Sequence, residues 1–226
     1  MTQRTSSRRE REREARRQAI LDAAEAVIRR RGFADTTMDE VAAEAELSKG
    51  ALYLYFANKD ALCAALVERT LQRVRPVLEQ VVSQPRPGLE RFLEGLRREA
   101  EFIDRNPHLL RMMVGWMLTG LRADTDEPAL ESYRSAVRSM LELAVRAVAE
   151  GQQDGSIRAD APPFRLALQS WAGLIGVLLV HVSRDDLARR LGDQVDTKAV
   201  VDLYLEQMAR ALRPSGPTQP NDEEAP

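Results

Sequence analysis

The chain holds 226 residues, 44% hydrophobic and 30% charged, with a formal net charge of −2 at pH 7. That balance fits a soluble protein of one large or two packed units, and excludes a fibrous, wholly disordered or uniformly polycationic chain. The longest apolar run, Ala172 to Val182 broken only by His181, falls short of the roughly 18 residues a membrane span needs. The start, MTQRTSSRRERERE, lacks the apolar stretch of a signal peptide, so a cytoplasmic protein without a membrane partner is expected.

Charge is segregated along the chain. Residues 1–17 carry seven arginines (4, 8, 9, 11, 13, 16, 17) against three glutamates (10, 12, 14), whereas Asp222, Glu223 and Glu224 are the only charges from Pro214 onward. From Glu10 to Arg31, Ile20, Ala23, Ala24, Val27 and Ile28 recur at three and four and predict a first helix. Arg29, Arg30 and Arg31 suit the negative pole of its dipole, and Gly32 follows where a left-handed residue is wanted. Thr37 and Glu40 have capping-box spacing and start a second helix near Met38. Ser48 caps a short third helix to about Phe56, and Asn58 a fourth from Lys59 to Val82. Beyond Pro85-Arg86-Pro87-Gly88, five more helices are predicted at about 89–105, 107–122, 127–152, 162–183 and 196–212. No strand pattern competes. The fold class is all-α with about nine helices. Residues 214–226, rich in proline and polar residues, are expected to be disordered.

Residues 36–59 place two short helices, a tight turn and a third helix start in 24 residues, the layout of a helix-turn-helix. In the segment SKGALYLYF, Leu52 and Phe56 fall on one face to meet a core, while Lys49, Gly50, Tyr53 and Leu54 point elsewhere. Tyrosine hydroxyls and a lysine can bond phosphates or base edges, and a glycine lets the backbone approach a duplex closely. The arginine-rich start could add salt-dependent affinity along phosphates or in a minor groove; the alternative is a solvated charged terminus.

The stretch AILDAAEAVIRRRGFADTTMDEVAAEAELSKGALYLYFANKDAL resembles the TetR (tetracycline repressor-like) regulators. The resemblance is closest from Arg17 to Leu66, and beyond that it extends only to helix count and order. It implies a flexible basic arm at 1–13, a DNA-binding domain at 14–60 with three helices, and a larger helical effector-binding and dimerisation domain at 61–213. Leu47, Leu52 and Phe56 would be interior. Ser48, Lys49, Gly50, Ala51, Tyr53, Leu54 and Tyr55 would face the major groove or its phosphates, with Thr37 and Lys59 as backbone clamps. Such a protein is expected to be a repressor that binds a palindromic double-stranded operator as a homodimer and is released by a small-molecule effector. One departure stands out: the family usually has glycine where this chain has Glu46, and a left-handed glutamate there would cost about 1 kcal/mol.

In the body, Phe102, Met112, Met113, Trp116, Met117 and Trp171 are either core or the lining of a pocket for a bulky apolar effector. The helix at 162–183 is apolar nearly all round. With the one at 196–212 it is expected to form a four-helix dimer interface through Trp171, Leu174, Leu178, Leu203 and Tyr204, with Gly173 and Gly176 allowing close approach. Enzymatic signatures are missing: there is no GxGxxG, GxxxxGK, HExxH or GxSxG, and His108 and His181 are the sole imidazoles. No enzyme activity, metal or cofactor is expected. A helical enzyme or an interaction module that keeps the helix-turn-helix as scaffold is the alternative. Lone Cys63, in an apolar helical setting, reads as core.

Overall fold

The computed structural model describes residues 2–119, 128–191 and 196–214. These residues are helical apart from their turns, in the order α1 (Thr2–Arg31), α2 (Met38–Glu44), α3 (Lys49–Tyr53), α4 (Lys59–Val82), α5 (Gly88–Arg105), α6 (Pro107–Thr119), α7 (Pro128–Gln153), α8 (Pro163–Val182), α9 (Arg184–Leu191) and α10 (Thr197–Leu212). Nine helices were expected and ten are described. The addition, α9, is short and highly charged, so it has no long apolar stripe for periodicity to detect. The expected end of the sixth helix at 122, and all but the first residue of the expected disordered tail, lie outside the described residues.

Two compact units divide the chain, residues 1–75 with 102–139 and residues 76–101 with 140–226. The first unit therefore crosses the expected boundary at residue 60 and takes in most of α4, the end of α5, all of α6 and part of α7. Pro76 lies inside α4 at this division, where it removes one backbone donor from the helix ladder.

The first unit closes around one cluster. Ile20, Leu21, Ala24 and Val27 of α1 pack with Val41 and Ala42 of α2, Leu52 of α3, Leu62 and Leu66 of α4, and Met112 and Trp116 of α6. Each fully buried aliphatic side chain stabilises the fold by about 1.5–3 kcal/mol. Cys63 belongs to this cluster, and burial pushes its thiol up to about 12, so it is an inert core residue as expected. One polar network crosses the packing. Nearly buried Arg69 donates to Asp22 Oδ1 (2.6 Å), Glu25 Oε2 (2.5 Å) and the Leu21 carbonyl (3.1 Å), while His108 Nε2 lies 3.3 Å from Glu25 Oε1. The segment read as a flexible arm is the start of α1. Its arginines and glutamates favour a helix, which Arg8–Glu12 (2.8 Å) stitches at i,i+4, as Gln18–Glu14 (2.7 Å) does just beyond it.

In the second unit, α8 packs against α10. Leu166, Ala167, Ser170, Leu174 and Leu178 of α8 and Val201, Leu205 and Leu212 of α10 are buried. The start of α5 is tied to the end of α7: the Gly88 and Leu89 amides donate to Asp154 Oδ2 (2.7 Å) and Ser156 Oγ (3.0 Å), supplying partners for free helix N–H groups. Gly88 lies so close to the Gly151 backbone that a Cβ would overlap it. The apolar run 172–182 is by itself too short for a membrane span. The helix runs from 163 to 182 and is, by length and composition, apolar enough to cross one.

Candidate functional site

The helix-turn-helix is built by local rules. Thr37 and Glu40 form the expected capping box: Glu40 N–H donates to Thr37 Oγ1 (3.3 Å), and the Thr37 amide and hydroxyl donate to Glu40 Oε2 (3.0 Å each). These donors, with Arg31 2.5 Å from Oε1, hold the Glu40 carboxyl below its ordinary range. Arg30 makes a bidentate pair with Glu44 (3.2 and 2.6 Å), so two arginines ending α1 grip α2. The turn that follows is a Schellman motif. Leu47 N–H reaches the Ala42 carbonyl (2.9 Å) and Glu46 N–H the Ala43 carbonyl (3.1 Å), which forces the residue between into the left-handed region. That residue is Glu46, with φ +54°. The site usually given to glycine has the geometry that wants glycine.

Ser48 caps α3 by accepting from Ala51 N–H (3.2 Å). Leu52 and Phe56 are buried as expected, and Leu47 is half-buried against the same cluster. Anchored by these residues, the five-residue α3 presents Tyr53 (42% exposed) and Leu54 (77%) to solvent, beside exposed Ser48, Lys49 and Gly50. A Cβ on Gly50 would meet nothing within 4 Å. Thr37 is exposed and Ala51 half-buried. Tyr55 departs from its expected place: it is half-buried and packs on the core, in the turn after α3 where its amide donates to the Leu52 carbonyl (2.9 Å).

Both lysines are engaged. Lys49 Nζ lies 2.8 Å from Asp39 Oδ1, and this carboxylate raises the lysine above its ordinary pKa. Lys59 donates to the Phe33 and Ala34 carbonyls (2.6 and 3.2 Å) and sits 4.3 Å from the centroid of the Phe33 ring. Its cation thus closes the turn after α1. Asp39 was missed at the sequence level, since its ten-residue separation from Lys49 leaves no periodic signal.

Of the six residues considered for an effector pocket, five lie in the first unit and one in the second. Met112 and Trp116 are buried in the reading-head core, where the Trp116 indole donates to Asp60 Oδ1 (3.1 Å) and stands edge-on to Tyr133 at 5.1 Å. Phe102 and Met113 are half-buried against that core, and Met117 is 47% exposed. Trp171 lies in the other unit, where its indole donates to Glu99 Oε1 (2.9 Å). Burial raises the Glu99 carboxyl to about 7, against the lowering effect of that hydrogen bond.

The expected dimer residues also separate. Leu174 and Leu178 are buried inside their own protomer, because an all-round apolar helix has two apolar sides and α10 covers one of them. Tyr204 is half-buried, its hydroxyl donating to the Ser170 carbonyl (2.5 Å) and filling the space over Gly173. Gly173 therefore serves packing within the chain rather than between chains. The other side of α8 carries exposed Phe164, Leu168, Ala172, Gly176 and Val180 at a spacing of four, and α10 exposes Val200 and Leu203. Half-buried Trp171 borders this stripe. His181 pairs with Thr197 (2.9 Å), and among the described residues no cluster of three metal-ligating side chains occurs.

A family model described as bacterial regulatory proteins, tetR family, matches residues 20–66. The HTH-type transcriptional repressor SCO4008 of Streptomyces coelicolor is 30% identical over 169 residues, 72% of this chain and 80% of that protein. The structure of SmeT, the repressor of the Stenotrophomonas maltophilia multidrug efflux pump SmeDEF, superposes with a TM-score of 0.62 at 26% identity, covering 93% of this chain and 96% of that one. A SmeT–triclosan complex superposes at 0.64 with 27% identity over 94% and 98%. With the matched segment spanning the capped α2, the left-handed turn and the exposed α3, the chain belongs to the tetR family of bacterial regulatory proteins and is a helix-turn-helix transcriptional regulator.

Proposed function

We propose that the protein is a cytoplasmic repressor that binds a palindromic operator as a homodimer and leaves it when a small molecule binds the body. The observation that carries the DNA reading is α3: a five-residue helix that buries Leu52 and leaves Tyr53 and Leu54 outward next to Lys49 and an unobstructed Gly50. In this reading Lys49, Gly50, Tyr53 and Leu54 meet the major groove, and Thr37 and Ser48 its phosphates. Half-buried Ala51 and Tyr55 support the recognition helix from behind. Lys59 holds the turn after α1 and lends its charge to the phosphate side.

Two further features support the reading. The exposed apolar residues of α8 and α10 would suit burial against a second copy, and a two-fold axis there would pair two reading heads on a palindrome. The basic start of α1 is helical. A helix about 10–12 Å across does not enter a minor groove about 6 Å wide, so its arginines would lie along phosphates. Release by a small molecule draws support from SmeT, a family relative solved with triclosan.

Selection of genomic DNA fragments by the purified protein, followed by anisotropy titration, tests the proposal. A palindromic sequence should be enriched, and Leu54→Ala should weaken its binding while leaving thermal stability unchanged. Enrichment of no sequence, or a Leu54→Ala variant that binds as the parent does, would overturn it.

A further inference from the structure

Glu99 is a buried carboxyl of the second unit that has no cation beside it among the described residues. Its carboxyl accepts a hydrogen bond from Trp171 Nε1 at 2.9 Å, and burial raises its pKa to about 7. Buried glutamates are rare unless paired with a cation, because desolvating a carboxylate costs several kcal/mol that a partner must offset. No described cation fills that role. The neighbouring arginines on α5 turn elsewhere, Arg97 to Glu94 (3.9 Å) and Arg98 to Glu94 (2.7 Å) and Glu101 (3.3 Å). On α8 the group bonded to the carboxyl is Trp171 itself. Among the described residues, no charged or titratable group acts on the Glu99 carboxyl.

The pair is also reachable and chemically matched. Glu99 and Trp171 are each only partly buried as whole residues, so they stand at the margin of their unit's core. A carboxylate gives a positive charge its counter-ion, and an indole gives it the ring face with the strongest cation–π attraction. Trp171 would thus serve twice: its N–H orients the carboxylate, and its ring receives the apolar flank of the ligand.

We propose that Glu99 and Trp171 are the recognition point for a cationic ligand, an ammonium group carrying an apolar or aromatic body. This rests on the reading that the body senses a small molecule, and gives that molecule its charge. The ligand replaces the missing cation, and an uncharged compound of the same shape leaves the acid uncompensated.

The test is calorimetric titration of the full-length protein with benzyltrimethylammonium and with its uncharged isostere neopentylbenzene, from pH 5.5 to 8.5, with operator binding measured in parallel. The quaternary nitrogen keeps its charge throughout, so any pH dependence belongs to the protein. The ammonium should bind at least about tenfold more tightly than the isostere at pH 8, and lose affinity as pH falls through about 7, where Glu99 takes up a proton. Glu99→Gln, which keeps the hydrogen-bond acceptor for Trp171, should abolish both the preference and the pH dependence. Equal binding of the two probes, no binding of the ammonium, or a Glu99→Gln protein that keeps the preference would each overturn the proposal, and the comparison of probes on the unaltered protein needs no variant to fold. Operator release by both probes alike would leave small-molecule sensing standing and remove Glu99 from it. Binding of the ammonium through Glu99 without loss of operator affinity would do the reverse.

Discussion

Asp39 and Lys49 meet across the helix-turn-helix, with Nζ 2.8 Å from one carboxylate oxygen and 3.0 Å from the other. Both side chains are exposed, so the pair adds little to stability. Its consequence lies at the DNA: a carboxylate beside the reading helix both aims the ammonium and cancels its charge. Asp39→Asn should leave the melting temperature unchanged and steepen the slope of log affinity against log salt by roughly one, as a freed lysine neutralises a phosphate. It should also narrow the gap between operator and random DNA. An unaltered slope would mean that Lys49 leaves Asp39 on binding in the parent too.

Glu46 occupies a left-handed position at φ +54° between the two helices. Glycine adopts that conformation without the Cβ clash, so Glu46→Gly should stabilise the protein by about 1 kcal/mol. Removing a negative charge near the DNA should also tighten operator binding. A lower melting temperature would show that the freedom glycine adds to the unfolded chain outweighs the relieved strain.

Gly50 separates stability from recognition. It lies in the first turn of α3 with open space where a Cβ would sit, so Gly50→Ala should raise stability by about 0.5–1 kcal/mol through helix propensity. If the backbone approaches the duplex here, the added methyl should weaken operator binding at the same time. Gains in both quantities would exclude close approach.

Glu25 gives the reading-head unit an acid limb. The hydrogen bond with His108, and then the charges of Arg69 and Arg73, outweigh burial and lower its carboxyl from 4.5 to about 2. Because the folded pKa lies below the unfolded one, the stabilisation is complete above about 4.5 and is lost as pH falls toward about 2. Glu25→Gln should cost about 3 kcal/mol at pH 7, since it leaves buried Arg69 short of a partner, and should flatten the stability profile below pH 4.5. Chemical denaturation at pH 7 and pH 3 measures both; an equal loss at the two values would place the effect in packing instead.

The exposed stripes of α8 and α10 carry the residues on which dimerisation should depend. Leu203→Asp or Val180→Asp, both on exposed stripes, should give folded monomers by sedimentation, with operator affinity reduced. Leu174→Asp should unfold the protomer instead, because that side chain is 0% exposed in its own chain. A stable dimer from both stripe variants would move the interface elsewhere.

What the amino-acid order determined here is what local rules govern. The Thr37–Glu40 box and the Ser48 and Asn58 caps depend on residues within five positions of one another, so spacing alone carried them, whereas the left-handed strain at Glu46 was expected from the family resemblance. Leu52 and Phe56 followed from helical periodicity. The family was recognisable because those signals fall together between residues 20 and 66. Tertiary structure decided the rest, wherever a side chain's partner lies far along the chain. An apolar residue on a helix has several possible covers, so only the packed chain assigns Met112 and Trp116 to the reading-head core, and Leu174 and Leu178 to an interior rather than an interface. Charges behave likewise. Arg69 sits three residues after Leu66 on the apolar side of α4, a hint that it is buried, yet its partners Asp22 and Glu25 lie more than forty positions away. Glu99 and Trp171 stand 72 residues apart, and the meaning of each comes only from the other. Burial and pairing are properties of neighbours in space, and a linear pattern reports them only when those neighbours are also close in sequence.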